Sequence, residues 1–198
     1  TTEIYTLSLH DALPIWDFEK EHTLALAREV RERLQKLGFR VVMIREADTF
    51  VPLEERPLIA RRLKADLFVS LHFNSAGPDG REVRGCETYV LAPLGTKSTH
   101  GGNTRSQVEK GHAHGARNIL LAHSLQKQLV ARAGLADRGV KRAWFVVLRE
   151  AEMPAVLIEL GFMSNPEDLQ RIRSTAERGR MAQAIADGIA QYKTRTEP

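Results

Sequence analysis

The run Ala155 to Leu160 (AVLIEL) constrains this chain more than any other segment, because it places one carboxylate inside an otherwise apolar stretch. Apolar on both faces, the run reads as an interior strand of a parallel sheet. Burying a bare carboxylate there would cost several kcal/mol, so Glu159 must be paired or functional. Two more runs share the pattern. Asp66 to His72 (DLFVSLH) puts His72 after FVSL, and Phe39 to Arg45 puts Arg45 after VVMI.

Helical periodicity fills the intervals. From Glu19 to Leu37 the residues Leu26, Val30, Leu34 and Leu37 mark one face, with Asp17 as expected N-cap and Gly38 as stop. A second helix is expected around Leu53 to Lys64, with Pro57 inside it. Ala113 to Ala133 carries Leu121, Leu125 and Leu129 on one stripe and ends at Gly134, and a closing helix carries Met181, Ile185, Ile189 and Tyr192. Further strands are expected at Gly85 to Ala92 and Trp144 to Leu148. The segment Pro93 to Gly111 has no periodicity and reads as a long loop, either a lid or substrate-selecting insertion or a disordered stretch. Strands alternating with helices at this spacing predict an α/β fold, a mostly parallel central sheet with helices on both faces.

The 198 residues suit one domain with a hydrophobic core of its own, and 42% hydrophobic with 27% charged content is that of a globular protein without a membrane span. The formal charge of +4 supplies only a weak steering field, and no aromatic residues interleave with a basic stripe, which argues against nucleic acid as partner. One cysteine, Cys86, excludes an internal disulfide and reads as a small buried hydrophobe. The first residues lack the basic start, apolar run and small-residue site of a secretion signal.

Functional groups of such sheets gather beyond the carboxyl ends of the strands. Arg45, His72 and Glu159 fall there, and Glu19 joins them if its helix follows a strand. Glu19 and His72 are of the type that bind catalytic zinc, which takes three protein ligands and keeps a position for water, and Glu159 is then the proton-handling base. Each has a plainer reading. Glu19 can simply offset the helix dipole, and His72 can be a satisfied histidine at a strand end.

The chain resembles the zinc-dependent N-acetylmuramoyl-L-alanine amidases of the cell-wall hydrolase type over Asp17 to Tyr192. The likeness runs in order through EKEHTLALA, GFRVVMIREADTFVPLEER, ADLFVSLHFNSA, RGCETYVL, RGVKRAWFVVLRE and MPAVLIELGFMSNPED. It implies Zn2+ as cofactor, Glu19 and His72 as zinc ligands, Glu159 as the catalytic residue, and Arg45, Arg56 and Asn74 lining the site, with Arg56 otherwise pairing only with nearby acids. It implies hydrolysis of the bond between the lactyl group of N-acetylmuramic acid and L-alanine in peptidoglycan, at the periplasm or outer wall. The expected state is a monomer, with an activator protein as a possible partner. Residues 16–193 are expected to form the catalytic domain, with 1–15 outside the family and 194–198 as a tail.

The departure is at the start, where such amidases carry a strand ending in a DPGHGG-like motif whose His is a further zinc ligand. Thr1 to Ile15 contains no such motif, and TLSLHDALPI reads as a translated sequencing-adapter fragment. The stretch IYTLSL could take the strand's place and present His10 as substitute. His100 in the long loop reads as a coincidence of composition, and His112, His114 and His123 as solvated surface residues. Two rival functions remain, a catalytically silent peptidoglycan-binding or regulatory module and a basic nucleic-acid-binding domain.

Overall fold

The computed structural model describes residues 3–6 and 17–197. Six strands, β1 (Glu3–Thr6), β2 (Arg40–Met43), β3 (Leu67–Asn74), β4 (Cys86–Leu91), β5 (Asp137–Ala143) and β6 (Ala155–Phe162), form one sheet in the order β2-β1-β3-β6-β4-β5. All neighbouring pairs are parallel except β4 and β6, so β4 and β5 run against the other four. The sheet is mixed and mostly parallel. Residues 3–6 occupy the position between β2 and β3. Leu7 to Trp16, His10 among them, lie outside the described residues.

The alternation of side chains along each strand divides the core in two. Leu67, Val69 and Leu71 of β3 with Val156 and Ile158 of β6 meet the long helices α1 (Asp17–Lys36), α3 (Gly115–Ala133) and α6 (Thr175–Thr196). Phe68 with Ala155 and Leu157 meets a thinner layer that includes Ala60 of α2 (Glu55–Arg62) and Val147 and Leu148 of α4 (Val146–Arg149). The periodic leucines of α3 and the Met181, Ile185, Ile189 and Tyr192 stripe of α6 are buried, as their spacing requires. These helices cross closely, for a Cβ added at Gly188 would stand 2.9 Å from Leu125 Cα.

The helix ends follow local chemistry. Gly134 takes the left-handed conformation (φ 63°) and returns its N–H to Leu129 O, closing α3. The expected strand at Trp144 to Leu148 is not formed: the strand is the preceding Asp137–Ala143, and Val146–Arg149 is a helical turn. An edge strand needs only one paired side and little apolar content, so DRGVKRA gave no strand signal, while the apolar VVL buries Val147 and Leu148 from a helical turn. The short helix α5 (Pro166–Arg173) also went unanticipated, although Asn165 caps it by accepting from Glu167 N and Asp168 N. Among the described residues no helix is long and apolar enough to cross a membrane.

Candidate active site

The parallel pairing of β3 with β6 sets His72 opposite Glu159, and the antiparallel pairing of β6 with β4 sets Glu159 opposite Glu87. Residues opposite each other in register project to the same face, so these three side chains form one row across the middle of the sheet. The row lies on the thinly covered face, next to Phe68, Leu157 and Tyr89 of the smaller core.

Glu19 reaches this row from the first turn of α1. Its Oε1 is 3.2 Å from His72 Nδ1 and accepts from Phe73 N at 3.3 Å, and the residue is only 3% exposed. His72 Nε2 faces Ser70 Oγ at 3.0 Å. Arg45, at the end of β2, is buried and donates from Nη2 to Lys20 O at 2.6 Å and to Thr23 Oγ1 at 3.3 Å. Its guanidinium therefore grips the helical turn that carries Glu19.

Glu159 has a different environment. Its Oε2 is buried without a hydrogen-bond partner. Burial, and then the charges of Glu19 and Glu87, push its carboxyl well above the ordinary value. Glu87 is 0% exposed, yet Tyr89 Oη donates to its Oε2 at 2.5 Å and Arg138 Nε to its Oε1 at 2.5 Å. Burial opposes its ionisation, but those two hydrogen bonds and the Arg138 charge outweigh burial and hold its pKa below the usual value. Neighbouring carboxylates are thereby shifted in opposite directions, Glu159 upward and Glu87 downward.

The remaining expected residues are Asn74 and Arg56. Asn74 ends β3 half-buried, its Oδ1 accepting from Ser75 N and its carbonyl from Met163 N. Arg56 is 1% exposed and donates from Nε to Val51 O. The ELGFMSNPED segment is in part scaffold. Asp168 Oδ2 accepts from Gly85 N and Phe162 N at 2.8 Å each, and Gly161 (φ 147°) lets the chain pass so close that a Cβ would lie 3.3 Å from Asp168.

Glu19 and His72 offer two donors suited to zinc, whereas a catalytic zinc takes three protein ligands. Among the described residues no group of three His, Cys, Asp or Glu side chains is placed to hold a metal ion. The donor set reaches two of three.

Sequence reasoning missed Glu87, Tyr89, Arg138 and His100. The argument that singled out Glu159 applied equally to Glu87, a carboxylate in the apolar strand GCETYVLA. Two histidine readings need correction. His100 faces Tyr89 Oη at 2.6 Å, and His112 accepts from Glu109 N at Nδ1 and faces Ala92 O at Nε2, so both pin the chain locally. An imidazole in a polar loop gives no sign in sequence of which strand it will reach. His123 is exposed, as expected.

The comparisons with known proteins agree with this architecture. The profile of the N-acetylmuramoyl-L-alanine amidase (Amidase_3) family matches residues 16–191, and the chain belongs to that family. The chain is 35% identical over 174 residues to N-acetylmuramoyl-L-alanine amidase LytC of Bacillus subtilis, covering 88% of this chain and 31% of LytC. It is 32% identical to N-acetylmuramoyl-L-alanine amidase AmiC of Neisseria meningitidis serogroup B, covering 88% of this chain and 47% of AmiC. The chain thus spans about a third to a half of these two relatives. Among solved structures, the catalytic domain of CwlV, an N-acetylmuramoyl-L-alanine amidase from Bacillus (Paenibacillus) polymyxa var. colistinus, superposes with a TM-score of 0.77 at 31% identity, covering 98% of this chain and 99% of that one.

Proposed function

We propose that residues 16–193 are the catalytic domain of a peptidoglycan hydrolase that cleaves the amide between N-acetylmuramic acid and the L-alanine of the stem peptide. The observation that carries this reading is the Glu19–His72 contact at 3.2 Å with Glu159 in register beside His72. Family membership supplies the substrate class. The site of action is then the cell wall, in the periplasm or outside the cell.

In this reading Glu19 and His72 would supply two ligands to a zinc ion, which when bound would acidify water and polarise the amide carbonyl. The third ligand does not come from the described residues. Arg45 fixes the turn bearing Glu19 through Lys20 O, and Ser70 Oγ orients His72 through Nε2. Both act through the ligands. Glu159, its Oε2 buried and without a partner, takes the proton of the attacking water and delivers it to the leaving amine. Asn74, half-buried at the end of β3, and Arg56 complete the lining of the site in this reading.

Release of stem peptides from purified sacculi tests the reading. Wild type is expected to generate new L-alanine amino termini in the presence of zinc, and Glu159→Gln to lose at least about a hundredfold of that rate. Equal rates in the two would remove Glu159 from the chemistry. The incomplete donor set favours a second reading, a catalytically silent peptidoglycan-binding module of the same fold. That module would retain sacculi without releasing any peptide.

A further inference from the structure

The loop between β4 and α3 is not loosely attached. Thr99 N donates to Arg142 O at 2.9 Å, and Arg142 N returns a bond to Thr99 Oγ1 at 3.0 Å. Trp144 Nε1 donates to Thr96 O at 3.0 Å, and Gly95 N to Arg105 O at 2.8 Å. These bonds fasten the loop to the end of β5 and present His100 toward the row of ionisable side chains.

Donor and acceptor bookkeeping fixes the direction of the bonds His100 makes there. Glu87, held ionised by Arg138 and Tyr89, can only accept, so the Tyr89 hydroxyl proton is committed to Glu87 Oε2 at 2.5 Å. The hydroxyl oxygen must then accept from His100, whose Nε2 lies 2.6 Å away. His100 Nε2 therefore carries a hydrogen, and in the neutral ring Nδ1 is an acceptor with no hydrogen-bond partner among the described residues. The His100 side chain is 55% exposed. Phe145 packs against Tyr89 with ring centroids 5.2 Å apart, which holds the Tyr89 ring from the other side.

A core hydroxyl, a buried carboxylate and an arginine thus orient one half-exposed imidazole whose second nitrogen has no hydrogen-bond partner among the described residues. A merely structural histidine would use both nitrogens inward, as His112 does with Glu109 N and Ala92 O. We propose that His100 is a substrate-binding residue, accepting at Nδ1 a hydrogen bond from an N–H or O–H of the peptidoglycan fragment, and that Tyr89 is its positioning residue. The inference depends on the amidase reading for its ligand class. It adds the β4 side to a site otherwise defined by β3, β6 and α1.

The test is calorimetric binding of a soluble N-acetylmuramyl tetrapeptide to the full chain carrying Glu159→Gln, whose turnover is slowed at least about a hundredfold. On that background His100→Ala and Tyr89→Phe are each expected to weaken Kd about tenfold. His100→Gln keeps both a side-chain N–H for Tyr89 and an acceptor for the ligand, and is expected to stay within about threefold of the parent. Thermal unfolding is measured for each, and Tm is expected to stay near the parent value in His100→Ala. Unchanged binding by His100→Ala, or equal loss in His100→Gln and His100→Ala, overturns the inference while leaving the amidase reading intact. Failure of the parent itself to bind the fragment overturns both.

Discussion

Glu87 and Glu159 stand directly opposite each other on β4 and β6, two carboxylates facing the same side of the sheet. Two like charges at neighbouring positions in a low-dielectric setting cannot both be favourable. The conflict is resolved unequally. Glu87 holds its charge against Arg138 and Tyr89, and Glu159, buried with no donor on Oε2, has its carboxyl pushed well above the ordinary value.

The first prediction concerns Glu159 and pH. Its folded pKa is raised above the ordinary 4.5 by burial and by the charges of Glu19 and Glu87. A group raised on folding contributes stability fully present below its unfolded pKa and lost as pH rises toward its folded value. In chelator-treated protein the Tm advantage of Glu159→Gln over wild type is therefore expected to grow as pH rises above about 4.5. A constant Tm difference between pH 4 and 8 would show that Glu159 ionises normally.

Arg138→Met leaves the buried Glu87 with its tyrosine hydrogen bond and His100 Nε2 at 3.5 Å. Arg138 is itself partly exposed, so water relieves some of the penalty, and the expected cost is about 2–3 kcal/mol in urea unfolding. Glu87 is depressed on folding, so its stabilisation is present above its unfolded pKa and fades as pH falls through its folded one. The difference between Arg138→Met and wild type should therefore shrink in acid. A variant as stable as wild type at pH 7 would deny the pair any role in the fold.

Zinc affinity is expected to depend on a residue that does not touch the metal. Arg45→Met frees the turn bearing Glu19 from its anchor at Lys20 O, and a loss of roughly tenfold in calorimetric zinc affinity is expected, against near-complete loss for His72→Ala. Replacing residues 1–15 by a segment ending in DPGHGG is expected to tighten binding by supplying a further ligand. Equally tight binding with and without that segment would contradict the two-donor description.

Burial pushes the Cys86 thiol up to about 12, with the Asp137 charge adding to it. The native protein is expected to resist iodoacetamide at pH 8 and to take up one equivalent after unfolding in guanidinium, as read by intact mass. Rapid labelling of the native chain would mean that the strand bearing Cys86 opens readily.

The sequence by itself determined the strands β3 and β6, the long helices, and the reason Glu159 could not be an ordinary core residue. Apolar runs and helical stripes are local patterns, and the cost of a carboxylate among leucine and isoleucine is a local quantity as well. Glu19 and His72, 53 positions apart, were named as partners from residue type and place at the sheet edge, yet only the folded chain sets their atoms at 3.2 Å. Other features had no local signature. The edge strand β5 is polar because one of its sides meets solvent, and the reversal of β4 and β5 depends on how the loops close. The chain of hydrogen bonds from His100 through Tyr89 and Glu87 to Arg138 joins a loop to two strands. Sheet register decides such contacts, because a shift of one residue would turn every side chain of the strand to the opposite face.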